Sequence, residues 1–450
     1  MNKWRIPVLR KELTSIFDWV LLVPMLLLVT ISIVALNSAG FDIYTQESDR
    51  VYITQFIAAI FGLVSLVLIM IVDYTKFRKY AYWIYGFGCL LVIITLVFGQ
   101  RIRGVKGWLA IGGHSVQFSE FMKIAVIIML ARYLENRAKE INTVFDLIVP
   151  GIIVGVPFLM ILMQPDLGTA LVFIPIIIFM LIIDDADISL IISVVSIALI
   201  GVSIPVYVTY SSHVSPAALP PLAVFFSKTN NLLLMALIAS VLIIGTIVIH
   251  NIKKIRLNEI FMRVFIVVIF ASLLAAVFDT ILQPYQQMRL VVAVNPEKLP
   301  DELQRGEAYN IIQSMIAFGS GGFFGQGYMH GTQSQLGFLP EQETDFIISV
   351  IGEEFGWFGI LIVCVLFLII FLRLVYIINN AKDMFGALIV SGILGMFLFH
   401  FLINIGMALG MMPATGIPLP FISRGGTSLV MSMTALGIAM NIESRRFVNL

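Results

Sequence analysis

The chain has 450 residues, of which 59% are hydrophobic and only 12% are charged. Soluble domains carry about 25% charged residues, so this composition excludes a water-soluble fold and indicates an integral membrane protein. The formal net charge of +1 does not indicate partners, because in a membrane protein the positions of the charges matter more, and nucleic acid is not an expected ligand. Cys89 and Cys364 both lie within apolar runs, where we expect them to act as packing residues and not as a disulfide framework.

Apolar stretches long enough to cross the bilayer recur along the whole chain, and a span needs about 20 helical residues. We therefore predict an all-α polytopic membrane protein, with residues 1–450 forming one membrane domain of about twelve transmembrane helices. The first span is expected to be retained, because no small-residue cleavage site follows it. The predicted spans are 17–36, 53–72, 80–98, 119–135, 147–163, 166–183, 188–209, 231–249, 258–281, 344–376, 384–408 and 426–442.

Basic residues indicate the orientation of these spans. They follow the even-numbered spans, as Lys76, Arg78 and Lys79 do after the second and Lys253 and Lys254 do after the eighth. By the positive-inside rule, these loops and both termini are predicted to be cytoplasmic, which makes the odd-numbered loops extracytoplasmic.

Four cations depart from this rule because they lie in predicted outer loops. Arg101, Arg103 and Lys106 follow the third span, and Arg424 precedes the last one. Cations placed against the topological preference indicate a site for an anion. The alternative is a solvated loop with incidental basic residues.

Ionisable residues within apolar segments are costly, so they usually face a protein interior or a watery cavity. Glu120 and Lys123 form such a pair at the outer end of the fourth span, where their spacing also allows a purely structural ion pair. Asp166 opens the sixth span and is either a helix cap or part of a site.

Asp345 opens the tenth span, and Glu353 and Glu354 follow about two turns later. Adjacent residues on a helix are about 100° apart. Only one of the two glutamates is therefore predicted to point into the bundle. The alternatives for the other are a position near an aqueous groove or a span that begins later than residue 344.

The segment 282–343 is too long for a connector, since loops beyond about 15 residues tend to be functional or disordered. It is predicted to be ordered, with an amphipathic helix over 309–318 whose apolar face carries Ile312, Met315 and Ile316. Asp301 is the only aspartate in the charged stretch 295–307 before that helix. A carboxylate there can serve as a general base if its pKa is raised, and solvation is the alternative.

Several segments of the chain carry distinctive motifs. They are HGTQSQLGFLPE (330–341) with TDF (344–346), QFSEFMK (117–123), QPDLGT (164–169), YNIIQSMIAFGSGG (309–322) and GIPLPFISRGGTS (416–428). These motifs closely resemble the signature motifs of the SEDS family of membrane glycosyltransferases. The resemblance extends from the first span to the last, and HGTQSQ is typical of the elongation branch of that family rather than the division branch.

The resemblance implies a peptidoglycan glycosyltransferase that polymerises lipid II into glycan strands during cell elongation and the maintenance of cell shape. It places the protein in the cytoplasmic membrane with the active site at the extracytoplasmic face. The 4-hydroxyl of the acceptor sugar attacks the anomeric carbon of the donor with inversion, and lipid pyrophosphate leaves. Such chemistry needs a base, cations for the developing charge and an apolar groove for the lipid.

The resemblance also implies partners, namely a class B penicillin-binding protein transpeptidase, other proteins of the elongation complex and membrane lipid. A divalent cation, magnesium or manganese, is chemically sensible beside a pyrophosphate. The sequence shows no ligand cluster with diagnostic spacing, so the metal site stays unknown.

Site residues carry over from the family motifs. The catalytic aspartate of a DPxGxGY-like pattern corresponds to Asp301, although the spacing to Tyr309 is longer here and Ala308 replaces the second glycine, which keeps Glu302 as the alternative. The remaining positions are implied as substrate-binding residues. They are Lys123, Glu120, Arg103, Asp166, Asp345 and Arg424, the last replacing a frequent tyrosine.

The family usually has ten spans, so the twelve predicted here imply an inserted pair, and the inserted segment 211–256 is expected to hold one span and part of another. An added pair preserves parity, and we expect it to lie on the rim of the bundle. Two hypotheses compete with the enzyme. One is a flippase or transporter of the lipid-linked cell-wall precursor, and the other is a scaffold that only recruits a transpeptidase.

Overall fold

The computed structural model describes residues 17–446, apart from 43–46, 49, 103, 112–113, 138–143, 215–219, 254–258, 282–283, 295, 297–298 and 307. The first eleven helices are α1 (Trp19–Ala39), α2 (Val51–Ile71), α3 (Thr75–Phe98), α4 (Phe118–Asn136), α5 (Ile148–Leu162), α6 (Leu167–Leu171), α7 (Phe173–Ile183), α8 (Ile188–Val214), α9 (Pro221–Phe226), α10 (Thr229–Lys253) and α11 (Glu259–Ile281). The others are α12 (Pro284–Val292), α13 (Asp301–Arg305), α14 (Tyr309–Ser320), α15 (Thr332–Gln335), α16 (Ile347–Asn380), α17 (Met384–Ala408) and α18 (Gly426–Ser444).

A helical segment occupies each predicted span, with α6 and α7 together forming the sixth, which confirms the polytopic helical fold. Within the described residues, seven helices are long and apolar enough to cross a membrane, and the shorter apolar helices include α5. The protein is therefore a multi-pass membrane protein. The fourth span, α4, is less apolar because it carries Glu120 and Lys123, which are buried inside the bundle.

Two small antiparallel sheets, absent from the prediction, connect helix ends. β1 (Phe41–Asp42) pairs with β2 (Glu47–Ser48), and β3 (Gln100–Ile102), β4 (Val105–Ile111) and β5 (His114–Gln117) form a three-stranded sheet in that order. The larger sheet follows α3 and leads directly into α4, so it lies at the end of the bundle where α4 begins.

Among the seven long apolar helices, α17 is the most enclosed, because 78% of its most apolar 18-residue stretch is buried inside the protein. It packs against α4, α7 and α16, while α18 lies along α2 and α1 lies along α16. Aromatic rings fill the centre, with the centroids of Phe397 and Phe421 5.4 Å apart.

The helices α8, α10 and α11 form the periphery of the molecule. α10 packs on α11, which packs on α8, and Leu232, Ala275 and Ala276 form a small apolar cluster separate from the main core. Only 17% of the most apolar 18-residue stretch of α10 is buried inside the protein. This location agrees with the expectation that the extra spans lie on the rim, and the limits of the insertion, 211–256, stay a prediction.

The tenth span is not the single helix predicted over 344–376. It begins at Ile347 and is broken at Gly356, whose φ of 64° and ψ of −163° are outside the helical region. The backbone of segment 322–327 runs beside this break and pairs with it. The bonds are Gln326 N to Glu353 O (2.9 Å), Gly327 N to Glu354 O (3.0 Å), Trp357 N to Gly322 O (3.0 Å) and Phe358 N to Phe323 O (3.1 Å). A broken helix in a membrane needs such partners for its freed backbone groups.

The prediction that only one of Glu353 and Glu354 faces the bundle was wrong, since both are buried. Glu353 accepts hydrogen bonds from Thr332 Oγ1 (3.2 Å), Gln333 N (2.7 Å) and Ser334 N (3.0 Å). Glu354 accepts hydrogen bonds from Ser38 Oγ on α1 and from Gln335 Nε2. The turn formed by the HGTQSQ motif supplies donors to both carboxylates, reaching both oxygens of Glu353 and Oε1 of Glu354.

The helix predicted over 309–318 is present as α14, and of its predicted apolar face Ile312 and Met315 pack half-buried against the core, whereas Ile316 is 46% exposed. Ile311, Ser314 and Ala317 are fully buried. Ser314 Oγ lies 2.6 Å from Ser349 Oγ, and this contact joins α14 to α16.

Asp184, in the turn between α7 and α8, is buried, and within the described residues neither carboxylate oxygen has a hydrogen-bond partner. Burial and the neighbouring Asp185 raise the pKa of Asp184 from 3.8 to about 7. The folded protein therefore holds a proton that the unfolded chain releases, so stability falls as the pH rises from about 4 to about 7.

Asp184→Asn is expected to remove this fall. At pH 8 the variant should be more stable than the parent by up to about 4 kcal/mol, and at pH 4 the two should be equal. Thermal unfolding in detergent across this range measures the difference. Parallel stability curves for parent and variant would contradict the prediction.

Candidate active-site groove

A groove of about 890 Å³ opens at one end of the bundle, hereafter the groove end. Four helical segments that start there, α2, α4, α6 and α18, contribute residues from their first turns. Helix N-termini carry partial positive charge and free N–H groups, so their convergence favours an anionic ligand. The polar residues around the groove are Gln55, Gln117, Glu120, Asp166, Arg289, Glu341, Asp345 and Arg424.

Part of the groove lining is apolar. Ile57 and Phe61 of α2 belong to it and are 42% and 64% exposed, so they are shared between the groove and the lipid-facing side of the helix. Trp108 and Val430 are further apolar lining residues. The groove lining is therefore amphipathic, and part of its apolar portion is exposed on the outside of α2.

Glu120 and Lys123, the pair predicted from their spacing, form an ion pair. Lys123 Nζ lies 2.8 Å from Glu120 Oε1, and Lys123 and Glu120 are 2% and 4% exposed. His400 from α17 completes the cluster, because its Nε2 lies 3.4 Å from Lys123 Nζ while its Nδ1 lies 3.0 Å from the Pro418 carbonyl oxygen. A carbonyl oxygen can only accept, so Nδ1 carries the proton and Nε2 accepts from Lys123.

Asp166 serves as a helix cap and also lines the groove. Its carboxylate accepts from Thr169 N (3.0 Å) and Thr169 Oγ1 (2.8 Å) at the start of α6. Gln117 Nε2, at the start of α4, donates to the same carboxylate at 2.8 Å. The QPDLGT and QFSEFMK motifs are thus joined to each other at the groove.

Asp345 lines the groove just before α16 begins. Asn404 Nδ2 of α17 donates to the carbonyl oxygens of Asp345 and Ile417, both at 3.0 Å. This amide joins the turn that carries Asp345 to the segment 415–418, which forms another part of the wall.

The anion-binding role expected of Arg424 stays a prediction. Arg424 lines the groove, but its guanidinium forms a salt bridge with Glu343, and its backbone N–H donates to the Glu343 carbonyl oxygen at 2.8 Å. Lys106 also has a local partner, since its Nζ lies 3.1 Å from the Val97 carbonyl oxygen. Arg103 is outside the described residues.

Lys123, buried beside Glu120, does not line the groove, and neither does Asp301. Asp301 is the exposed first residue of α13. The long loop instead contributes Arg289 of α12, which the sequence reasoning missed. The available signal was the amphipathic stretch PYQQMRLVV (284–292) directly after the ninth span, with one cation on it.

The described residues contain no group of three or more histidine, cysteine, aspartate or glutamate side chains that could hold a metal ion. No ligand set is therefore assigned to the divalent cation that the chemistry allows. Asp166, Glu341 and Asp345 all line the groove, and carboxylate oxygens suit magnesium and manganese.

Comparisons with known proteins find sequence similarity over almost the whole chain. The FtsW/RodA/SpoVE family of cell cycle proteins matches residues 16–216 and 211–447. The peptidoglycan glycosyltransferase RodA of Treponema pallidum (strain Nichols) is 37% identical over 442 residues, covering 96% of this chain and 98% of that protein. The peptidoglycan glycosyltransferase MrdB of Escherichia coli (strain K12) is 30% identical over 426 residues, covering 95% and 93%.

Solved structures show the same fold. A chain of a peptidoglycan synthase complex, studied for how it coordinates polymerisation and crosslinking, matches with a TM-score of 0.64 and 25% identity, covering 96% of this chain and 99% of that one. The crystal structure of the rod shape determining protein RodA from Thermus thermophilus matches with a TM-score of 0.59 and 22% identity, covering 96% and 98%. With the family match spanning the chain and its motifs assembled around one groove, the protein belongs to the FtsW/RodA/SpoVE family, the SEDS family its motifs indicated.

Proposed function

We propose that this protein is a peptidoglycan glycosyltransferase that polymerises lipid II at the extracytoplasmic face of the cytoplasmic membrane. The observation that carries the proposal is the amphipathic groove, which combines charged side chains with apolar ones, two of which, Ile57 and Phe61, are also exposed on the outside of α2. Lipid II combines the same two chemistries, since its apolar polyprenyl chain is joined through a charged pyrophosphate to a disaccharide. Relatives that match the chain from end to end are named for this activity.

In the proposed reaction, the 4-hydroxyl oxygen of the acceptor forms a bond to the anomeric carbon of the donor. The bond between that carbon and the pyrophosphate oxygen breaks, and the hydroxyl proton passes to a carboxylate. Arg289 and the N-termini of α2, α4 and α18 would stabilise the negative charge on the leaving pyrophosphate. The apolar part of the lining, which includes Ile57 and Phe61, would hold the lipid chain.

The family resemblance supports Asp301 as the base. This residue is exposed, so its action would require the segment 299–306 to move over the groove when the acceptor binds. Catalytic contacts often tighten only in the substrate complex. Asp345 is the competing candidate because it already lines the groove.

The direct test is polymer formation from purified lipid II by the purified protein, with and without a class B penicillin-binding protein as the proposed partner. Arg289→Ala is expected to lower the polymerisation rate by about 10²-fold, as the loss of one charge-stabilising donor does in other enzymes. Lys228→Ala removes an exposed cation from the peripheral α9–α10 connection and serves as the matched control, with unchanged activity. Polymer formation that is insensitive to Arg289→Ala would remove this residue from the mechanism.

A second candidate function is transport of the lipid-linked precursor across the bilayer, which the buried cluster of Glu120, Lys123 and His400 inside the bundle favours. Proteoliposomes with labelled lipid II distinguish the two. Transbilayer movement without polymer under any condition would support transport. Polymer that survives every groove substitution would support a scaffold.

A further inference from the structure

The tip of segment 321–327 is an exposed apolar feature that the proposed reaction does not use. Phe323 and Phe324 are 63% and 77% exposed, and their ring centroids lie 4.9 Å apart. Trp357 and Phe358, directly after the break in α16, are also more than half exposed. The segment 321–329 has the sequence GGFFGQGYM and contains no charged residue.

The backbone register places this tip beside the membrane-spanning part of α16. Trp357 N and Phe358 N donate to the carbonyl oxygens of Gly322 and Phe323, so the tip lies level with the first residues after Gly356. Gly325, with a φ of +81°, approaches so closely that a Cβ there would overlap the Glu354 carbonyl group. Both sides of this contact therefore need glycine, and the tip cannot move away from α16 without breaking the backbone hydrogen bonds.

The depth of the tip follows from the opposite end of the bundle. Arg373 of α16 lies at the level of that end, because it forms ion pairs with Asp18, which caps α1, and with Glu443 near the end of α18. At ~1.5 Å per residue, the stretch 357–373 is about 24 Å long. The hydrocarbon core is ~30 Å thick. Residues beside Trp357 therefore lie several ångströms inside the leaflet at the groove end.

The chemistry of the tip also fits lipid. The four backbone hydrogen bonds to α16 satisfy polar groups of the segment, as the bilayer requires. The exposed aromatic surface continues directly onto the exposed side chains of Leu361, Val365 and Leu368, which lie further along the same helix and are 55%, 45% and 52% exposed. An aromatic belt at this level is typical of a membrane boundary.

We propose that residues 322–324 are a membrane-inserted anchor, with Phe323 and Phe324 among the acyl chains of the leaflet at the groove end. The anchor holds the following segment, from the HGTQSQ turn to the groove-lining Glu341 and Asp345, at a fixed height relative to the bilayer. The occupant of this surface is lipid and not a helix of a partner protein. The inference does not depend on the catalytic activity.

Site-directed spin labelling of the full chain in phosphatidylcholine and phosphatidylglycerol vesicles tests the anchor. In a background with Cys89→Ala and Cys364→Ala, single labels are placed by Phe324→Cys and, as a second site, Phe323→Cys. Leu361→Cys provides the lipid-facing reference, and Glu302→Cys on the exposed α13 provides the aqueous one. Collision with oxygen, which partitions into lipid, is compared with collision with a water-soluble nickel chelate.

The labels at 323 and 324 are expected to match Leu361→Cys, with oxygen accessibility several-fold above that of the nickel chelate. Accessibility equal to that of Glu302→Cys would overturn the proposal. Labels that are accessible to water in the protein alone, and protected only after a second membrane protein is reconstituted with it, would also overturn it, since the surface would then belong to a partner.

Discussion

Asp301→Asn is expected to lower the rate of lipid II polymerisation by about 10²–10⁴-fold, the usual contribution of a general base. The amide cannot accept the acceptor hydroxyl proton, and because Asp301 is exposed at the start of α13, its replacement should leave the folded protein intact. The measurements are the initial rate of polymer formation and the melting temperature of the same sample in detergent.

Two matched variants decide which carboxylate is the base. Glu302→Gln changes the exposed neighbour of Asp301 and is expected to retain activity, whereas Asp345→Asn changes a carboxylate that already lines the groove. Full activity in Asp301→Asn together with loss in Asp345→Asn would move the proposed base to Asp345. Loss only in Glu302→Gln would show that the longer spacing before Tyr309 shifts the role by one residue.

Lys123→Met is expected to destabilise the protein by about 3–5 kcal/mol, because breaking a buried ion pair leaves an uncompensated charge. Glu120 would lose its partner at 2.8 Å, and His400 Nε2 would lose its donor. Thermal unfolding in detergent measures the loss. A melting temperature equal to that of the parent would contradict the ion pair described here.

The double variant Glu120→Gln/Lys123→Met separates folding from function. It removes both charges, so stability should return to near that of the parent, since buried pairs are often replaced at little cost by uncharged groups. Polymerisation should stay low if Lys123 contributes charge to the site below the groove. Recovery of both stability and activity would limit the pair to a structural role.

The sequence was sufficient for features that depend on local patterns. Each span needs only a run of apolar residues long enough to cross the bilayer, and helices lie at all the predicted positions. The Glu120–Lys123 pair and the cap at Asp166 follow from spacing within one helical turn, and both are present. The motifs also indicated the family, which the comparisons confirm.

Only the tertiary structure decided what depends on contacts between distant segments. Glu353 and Glu354 are both buried because the HGTQSQ turn and Ser38 reach them. Arg424 is paired because Glu343 lies beside it. Arg289 reaches the groove from the long loop. No local pattern encodes such partners, since they come from chain positions far apart or from turns whose path is set by packing. For the same reason the sequence pointed to Asp301 through a motif, whereas the fold decides which carboxylates line the groove.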